Sequence, residues 1–139
     1  MAAHSGVVRR MAIKSILKAG DLQPGGHYAL GTLAGEYLFV SGLLPARLGG
    51  DHSLASEAFT MQMRQVLDNL DVVLGEGGAR RDQVAKLTIY IADIALWSEC
   101  NLLCADYFGD ARPARCIVPV PGLHHDYLIE LEAIAYLGD

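Results

Sequence analysis

The stretch that decides the fold is YLIELEAIAYL, residues 127–137. Side chains on a strand alternate between two faces, so Ile129, Leu131, Ala133 and Ala135 share one side and Glu130, Glu132, Ile134 and Tyr136 the other. One side is wholly apolar and suits helices packed against it. The other sets two carboxylates among apolar residues, an arrangement for a surface that is only partly wet. Immediately upstream, ARCIVPV (114–120) reads as another strand. The connection between the two is about seven residues, short enough for an antiparallel pair.

Working outward, AIKSIL (12–17), EYLFVSG (36–42) and QVAKLTIYIA (83–92) read as three further strands, the last one buried. DLQPGGHYALG (21–31) and LPARLGGDHS (44–53) read as loops, punctuated by glycine and proline. A helix follows Ser53 as N-cap; Leu54, Ala58, Met61, Val66, Leu70, Val73 and Leu74 recur at near-helical spacing until Gly75, Gly77 and Gly78. Asp93 caps a second helix with Leu96, Cys100, Leu103, Cys104 and Tyr107 along it, and Gly109 ends it. The order β, β, α, β, α, β, β predicts an α+β domain, a mixed sheet with two helices packed on one face. Two helices leave the other face bare, and that face needs a second copy of the chain. Residues 13–139 form the single domain, and residues 1–12 read as a flexible N-terminal extension.

Composition narrows the function classes. The chain has 139 residues, 52% of them hydrophobic, with a mean hydropathy of +0.25, an apolar surplus for so small a domain. A net charge of -5 and a pI of about 5.4 argue against a nucleic-acid partner, which needs clustered Lys and Arg. The three cysteines, Cys100, Cys104 and Cys116, read as free thiols in a reducing compartment. No apolar run is long enough to span a bilayer, and MAAHSGVVRRMAIKS lacks the apolar segment of a secretory leader, so a cytoplasmic location is expected.

Two residues stand out as chemistry. Arg115 enters the apolar run Cys116-Ile117-Val118, and an antiparallel pairing centred between Gly122 and Leu123 sets it opposite Glu130. A structural ion pair is the plainer reading of such a couple, and a substrate site is the other. Cys100 and Cys104 lie i, i+4 on one helical face and His124-His125 are adjacent, but the paired motifs of a zinc site are missing and helical-face cysteines are commonly small core residues, so no metal is expected. Ser41 lies in VSGLL without the nucleophile-elbow pattern of serine hydrolases, and no phosphate loop is present.

FVSGLLP (39–45), QVLDNLDVVLGEGG (65–78), RPARCIV (112–118) and LIELEAIAY (128–136), in this order and spacing, resemble the RidA (YjgF-type) family from about Ile13 to Tyr136. The resemblance implies a homotrimer of chorismate-mutase-like (bacillus type) subunits with clefts between neighbours. It implies hydrolytic deamination of reactive 2-enamine and 2-imine acids, such as 2-aminoacrylate, to 2-keto acids and ammonia, without cofactor or metal. Arg115 would then grip the substrate carboxylate with its planar fork, and backbone N–H groups near Cys116 and Ile117 would hold the other end. Glu130 would orient the attacking water and shuttle a proton, its pKa raised by burial and lowered by Arg115. Tyr28 resembles the pocket tyrosine contributed across the interface. Ser41 and Gly42 mark a strand end where backbone approaches ligand, Asn101 aligns with an asparagine near the cleft, and Glu132 reads as a structural charge.

The chain departs from the family pattern at Gly26-His27-Tyr28-Ala29-Leu30, where members often read Gly-Pro-Tyr-Ser-Gln. His27 replaces the proline; a solvated loop histidine is the plainer reading, and a residue lining the pocket mouth is the other. Ile117 occupies the place of a frequent cysteine, the thiol of Cys116 being one residue earlier on the other strand face. PGLHHDY (121–127) replaces a basic loop. These departures open two alternatives: a pathway deaminase for a larger unsaturated amino acid of the 2-aminomuconate type, and a non-catalytic ligand-binding or chaperone-like member.

Overall fold

The computed structural model describes residues 12–138; the extension assigned to residues 1–12 lies, apart from Ala12, outside the described residues. Six strands make one sheet: β1 (Lys14–Ile16), β2 (Gly31–Ala34), β3 (Tyr37–Leu43), β4 (Val84–Ile91), β5 (Ala114–Pro119) and β6 (Ile129–Tyr136). Two helices, α1 (Phe59–Glu76) and α2 (Trp97–Phe108), accompany it. The spatial order is β1-β2-β3-β6-β4-β5, antiparallel throughout except for the parallel pair β4–β5.

The last strand takes the centre. Ile129, Leu131, Ala133 and Ala135 are all buried against the helices, as the alternation predicts, and β6 hydrogen-bonds to β3 on one side and β4 on the other. The expected β5–β6 pair therefore does not form. β5 contains Pro119 and is flanked by Pro113 and Pro121, residues that cannot donate to a ladder on both sides, and a strand so built belongs at an edge. Residues 120–128 cross the end of β4 instead, tied by Val120 N–H to Ile91 O (2.9 Å) and by Ala92 N–H to Leu128 O (3.0 Å).

β2 was not expected; the segment is only four residues and half of them are Gly and Ala, too short and too small to show a period. It exists because Gly35, at φ 58°, turns the chain tightly into β3, and both neighbours pair with it. The first helix begins later than expected. Ser53 opens a separate 3-10 turn, Ser53–Ser56, while α1 starts after Ala58 without a side-chain cap. Its buried stripe is led by Phe59 and Met63, and the expected Met61 is 45% exposed. Gln62, fully buried, joins the parts: its amide donates to Ala55 O and Glu57 O (3.3 and 3.0 Å) and its Oε1 accepts from Leu128 N–H (2.8 Å). Around α2 the expected cap sits one turn early, since α2 itself starts after Leu96 without a side-chain cap. Asp93 accepts from Ala95 N–H (2.9 Å) in the 3-10 turn that leads into the helix, Cys100 and Cys104 are core residues, and Gly109 ends it at φ 61°.

Both helices lie on the apolar side of the sheet. The opposite side carries Tyr37, Phe39, Tyr136 and Val118, each between 37% and 45% exposed, with Ile134, Tyr90, Cys116, Glu130 and Glu132. Among the described residues, no helix is long and apolar enough to cross a membrane.

Candidate functional site

Arg115 is the second residue of β5 and pairs with Leu87 in β4, so its side chain leaves the sheet on the helix side. There it meets α2. Its Nη1 donates to Asn101 Oδ1 at 2.9 Å, and the guanidinium stands 5.7 Å from the centre of the Trp97 ring. Trp97 and Asn101 are one helical turn apart and present one face to it. Asn101 is a neutral acceptor and occupies one of the guanidinium's five donors. The ion pairs formed among the described residues are Arg80–Asp82 and Arg81–Asp71, so no described carboxylate neutralises Arg115. The cation is half-buried, propped by neutral groups, and retains donors for an anion.

Ile117 lies on the same side as Arg115, half-buried, level with Ile89. Cys116 points the other way, exposed, level with Thr88 and Glu132 on the open face. Because β5 is an edge strand, half of its backbone polar groups have no strand partner, the setting in which backbone N–H groups meet a ligand.

Glu130 belongs to a second group, on the open face of β6. It is half-buried beside β3, where a bulge between Val40 and Leu43 breaks the register and turns Ser41-Gly42 out of the ladder. A Cβ built on Gly42 would overlap Glu130 Oε2, so a side chain at position 42 would push that carboxylate from its present place. Burial raises the pKa of Glu130 above its ordinary value and the charge of Glu132 adds to this, while His124 opposes both. Arg115 is not among the charges that act on it, against expectation. Glu132 accepts from the Tyr90 hydroxyl at 2.7 Å, a bond within the open face.

Ser41 binds this group to a third. Its N–H donates to Leu30 O (2.9 Å) and its hydroxyl to Ala29 O (2.5 Å), anchoring the segment that carries Tyr28. Tyr28 is 49% exposed, accepts from Gly25 N–H at 3.1 Å, and lines a cleft of about 570 Å³ with Ser15, Leu17, Gln23, Pro24, Gly26, His27 and Ala29. His27, next to the tyrosine, is an exposed loop residue at the edge of this cleft.

The direct Arg115–Glu130 couple is the expectation that fails. β4 lies between their strands, which places the two backbones about 10 Å apart across the sheet. Arg115 is level with Ala133, three residues along from Glu130, and the two side chains leave opposite faces. Within one chain they form neither a salt bridge nor a common pocket. Sequence reasoning missed Trp97, although its i, i+4 relation to Asn101 was a usable signal, and it missed His124 as a charge acting on Glu130, which no local pattern announces.

Comparison with known proteins places this geometry among relatives. The family described as endoribonuclease L-PSP matches residues 19–137. A RutC family protein of Pyrococcus horikoshii is 37% identical over 114 residues, 82% of this chain and 90% of the relative. The crystal structure of YyfA from Yersinia pestis, titled a protein of unknown function of the conserved Rid protein family, superposes with a TM-score of 0.84 at 34% identity, over 90% of this chain and 99% of that one. The YEO7 structure from yeast superposes with a TM-score of 0.85 at 26% identity, over 91% of this chain and 100% of that one.

Proposed function

The chain belongs to the endoribonuclease L-PSP family, the RidA/YjgF-type proteins its motifs resemble, and from that premise we propose that it hydrolyses reactive 2-imino and 2-enamino acids to 2-keto acids and ammonia. The observation that carries the reading is Arg115: a half-buried guanidinium held by Asn101 and Trp97, with no described carboxylate upon it. A small anionic substrate fits the remaining donors. Net charge and scattered cations favour this over an RNA substrate.

Arg115 makes two parallel hydrogen bonds to the carboxylate of a 2-imino acid, and the backbone at Cys116 and Ile117 holds its far end. An enamine substrate first tautomerises by protonation at carbon. Water then adds to the C=N carbon. Glu130 takes a proton from that water and returns it to the nitrogen, giving a carbinolamine; it then carries the hydroxyl proton of the carbinolamine to the amine, and ammonia leaves as the C–N bond breaks and C=O forms. No group beyond the chain's own is required by this scheme.

Because one chain holds Arg115 and Glu130 on opposite faces, the scheme needs a neighbour. Copies packed as a homotrimer through the open face bring one chain's Glu130, Gly42 and Tyr28 toward another's Arg115. Support comes from the exposed Tyr37, Phe39, Tyr136 and Val118, which a soluble chain buries against a partner. Phe39→Asp is expected to convert the trimer to monomer in analytical ultracentrifugation; a variant that remains trimeric overturns this use of the face. Free Cys100, Cys104 and Cys116 accord with a reducing cytoplasm.

The reaction is tested by supplying 2-aminoacrylate from a pyridoxal-phosphate dehydratase and following pyruvate and ammonia. Release faster than the spontaneous rate is expected. A chain that binds a small 2-keto acid tightly yet accelerates no imine is a binding protein, and the deaminase reading fails. His27 beside Tyr28 in an open cleft favours a second reading, a deaminase for a larger unsaturated amino acid of the 2-aminomuconate type. A substrate panel separates the two.

A further inference from the structure

The segment from Pro121 to Tyr127, which leads into β6, is fastened by aromatic rings. His52 and His125 stack with centroids 3.6 Å apart and planes 17° from parallel. His124 meets His125 nearly at right angles at 4.0 Å. His52 Nδ1 shares a 2.7 Å hydrogen bond with the hydroxyl of Tyr127, whose ring is fully buried. His125 and Asp126 both adopt positive φ, 60° and 61°, a backbone region that residues with a Cβ enter only when their surroundings impose it. At the base, buried Gln62 locks Leu128 to Ala55 and Glu57. Two stretches far apart in sequence, around residues 52 and 125, are thus joined by ring contacts, and one of them holds two consecutive residues in a strained conformation.

We propose that the stacked pair His52–His125 is a proton-operated clamp that positions the 121–127 segment, and with it His124, ahead of Glu130: it is closed when His125 is neutral and released when His125 takes a proton. His52 and His125 are positioning residues and touch no substrate. The link to Glu130 rests on the deaminase reading, whereas the clamp itself does not.

The charges bearing on the stack favour neutral rings. Desolvation by the stacked ring of His52, then the charges of His124 and His52, push the pKa of the otherwise exposed His125 below its ordinary 6.5, against Asp126. Asp51 lies next to His52, with Arg47 acting on the same carboxylate, and Tyr127 faces His52 from β6's side. Two cations at 3.6 Å repel strongly, so the second proton is the harder to add. The neutral form is the one the closed state prefers. Its contribution is therefore complete above about pH 6.5 and lost as pH falls through the lowered value of His125.

The test is residue-resolved NMR of the full chain from pH 8 to pH 5. The backbone amides of residues 124–128 are expected to shift with the midpoint of the His125 ring, and exchange of the Tyr127 amide to accelerate about tenfold or more below it. His125→Phe retains a stacking ring without a proton site and should keep the segment closed at pH 5. Amides that ignore the His125 titration, or a His125→Phe chain that opens at the same pH, overturn the clamp. Should that variant not fold, the wild-type titration alone decides. In the imine assay, wild-type kcat should show, besides the limb of Glu130 itself, a fall at the His125 midpoint with KM little changed, and in His125→Phe only the limb of Glu130 should remain; a fall at the His125 midpoint that persists unchanged in the variant overturns the link to Glu130. A chain with no turnover at any pH refutes the deaminase reading and leaves the NMR result to judge the clamp.

Discussion

Arg115→Ala is expected to lower kcat/KM for 2-aminoacrylate hydrolysis by about thirty-fold to several thousand-fold, the range given by losing one partner of a desolvated, hydrogen-bonded charge pair, about 2–5 kcal/mol. Arg115→Lys should recover little of this. A lysine ammonium keeps the charge but presents a point, not a fork, and cannot both stay on Asn101 Oδ1 and grip two carboxylate oxygens. The assembly should survive either change, because the subunit contact is assigned to the exposed apolar side chains Tyr37, Phe39, Tyr136 and Val118 and not to Arg115. Ultracentrifugation checks this, and steady-state kinetics checks the rate. Asn101→Ala provides the second reading of the same idea: it frees the guanidinium to turn and should weaken substrate binding less than the loss of Arg115 itself. Full activity in Arg115→Ala, with the variant folded and trimeric, removes the carboxylate clamp from the mechanism.

How far such a site can be read without coordinates depends on whether its determinants are local. The alternation in β6 needs only a window of eight residues, and it correctly separates Ile129, Leu131, Ala133 and Ala135 from Glu130 and Glu132. Asp93 and Gly109 mark the ends of the second helical segment because a side-chain acceptor and a left-handed residue act on their own neighbours. Strand pairing is another matter. A short connection suggested that β5 and β6 are adjacent, but adjacency is decided by which strand best tolerates burial on both edges. The prolines around β5 excluded it, and β6 went to the centre. That one exchange moves Arg115 from facing Glu130 to the far side of β4. β2 was hidden for a different reason: the four residues Gly-Thr-Leu-Ala are too few to carry a period, and its existence depends on the turn at Gly35. The candidate residues themselves were legible from motif resemblance; their distribution over two faces was not, since it is a property of the completed sheet.

Glu130→Gln is the second large effect. A general acid–base group contributes roughly a hundredfold to ten-thousandfold, so the amide should lower kcat by that order while KM changes less, because Arg115 and not Glu130 holds the substrate's charge. The pH dependence gives the sharper test. Burial and the neighbouring Glu132 carboxylate raise the pKa of Glu130, so the carboxylate form that accepts a proton from water is lost already at a pH above the ordinary carboxylate range. Activity should therefore climb with pH through this raised value. Glu132→Gln removes a like charge while its amide oxygen still accepts from the Tyr90 hydroxyl, and it should move the limb to lower pH without abolishing turnover. Removing His124 by His124→Ala takes away a cation that lowers the pKa of Glu130, and should move the limb the opposite way. The two shifts have opposite signs, which a general loss of stability cannot produce. An acidic limb that stays in place in both variants means that Glu130 is not the group being titrated, and its role as the proton shuttle falls.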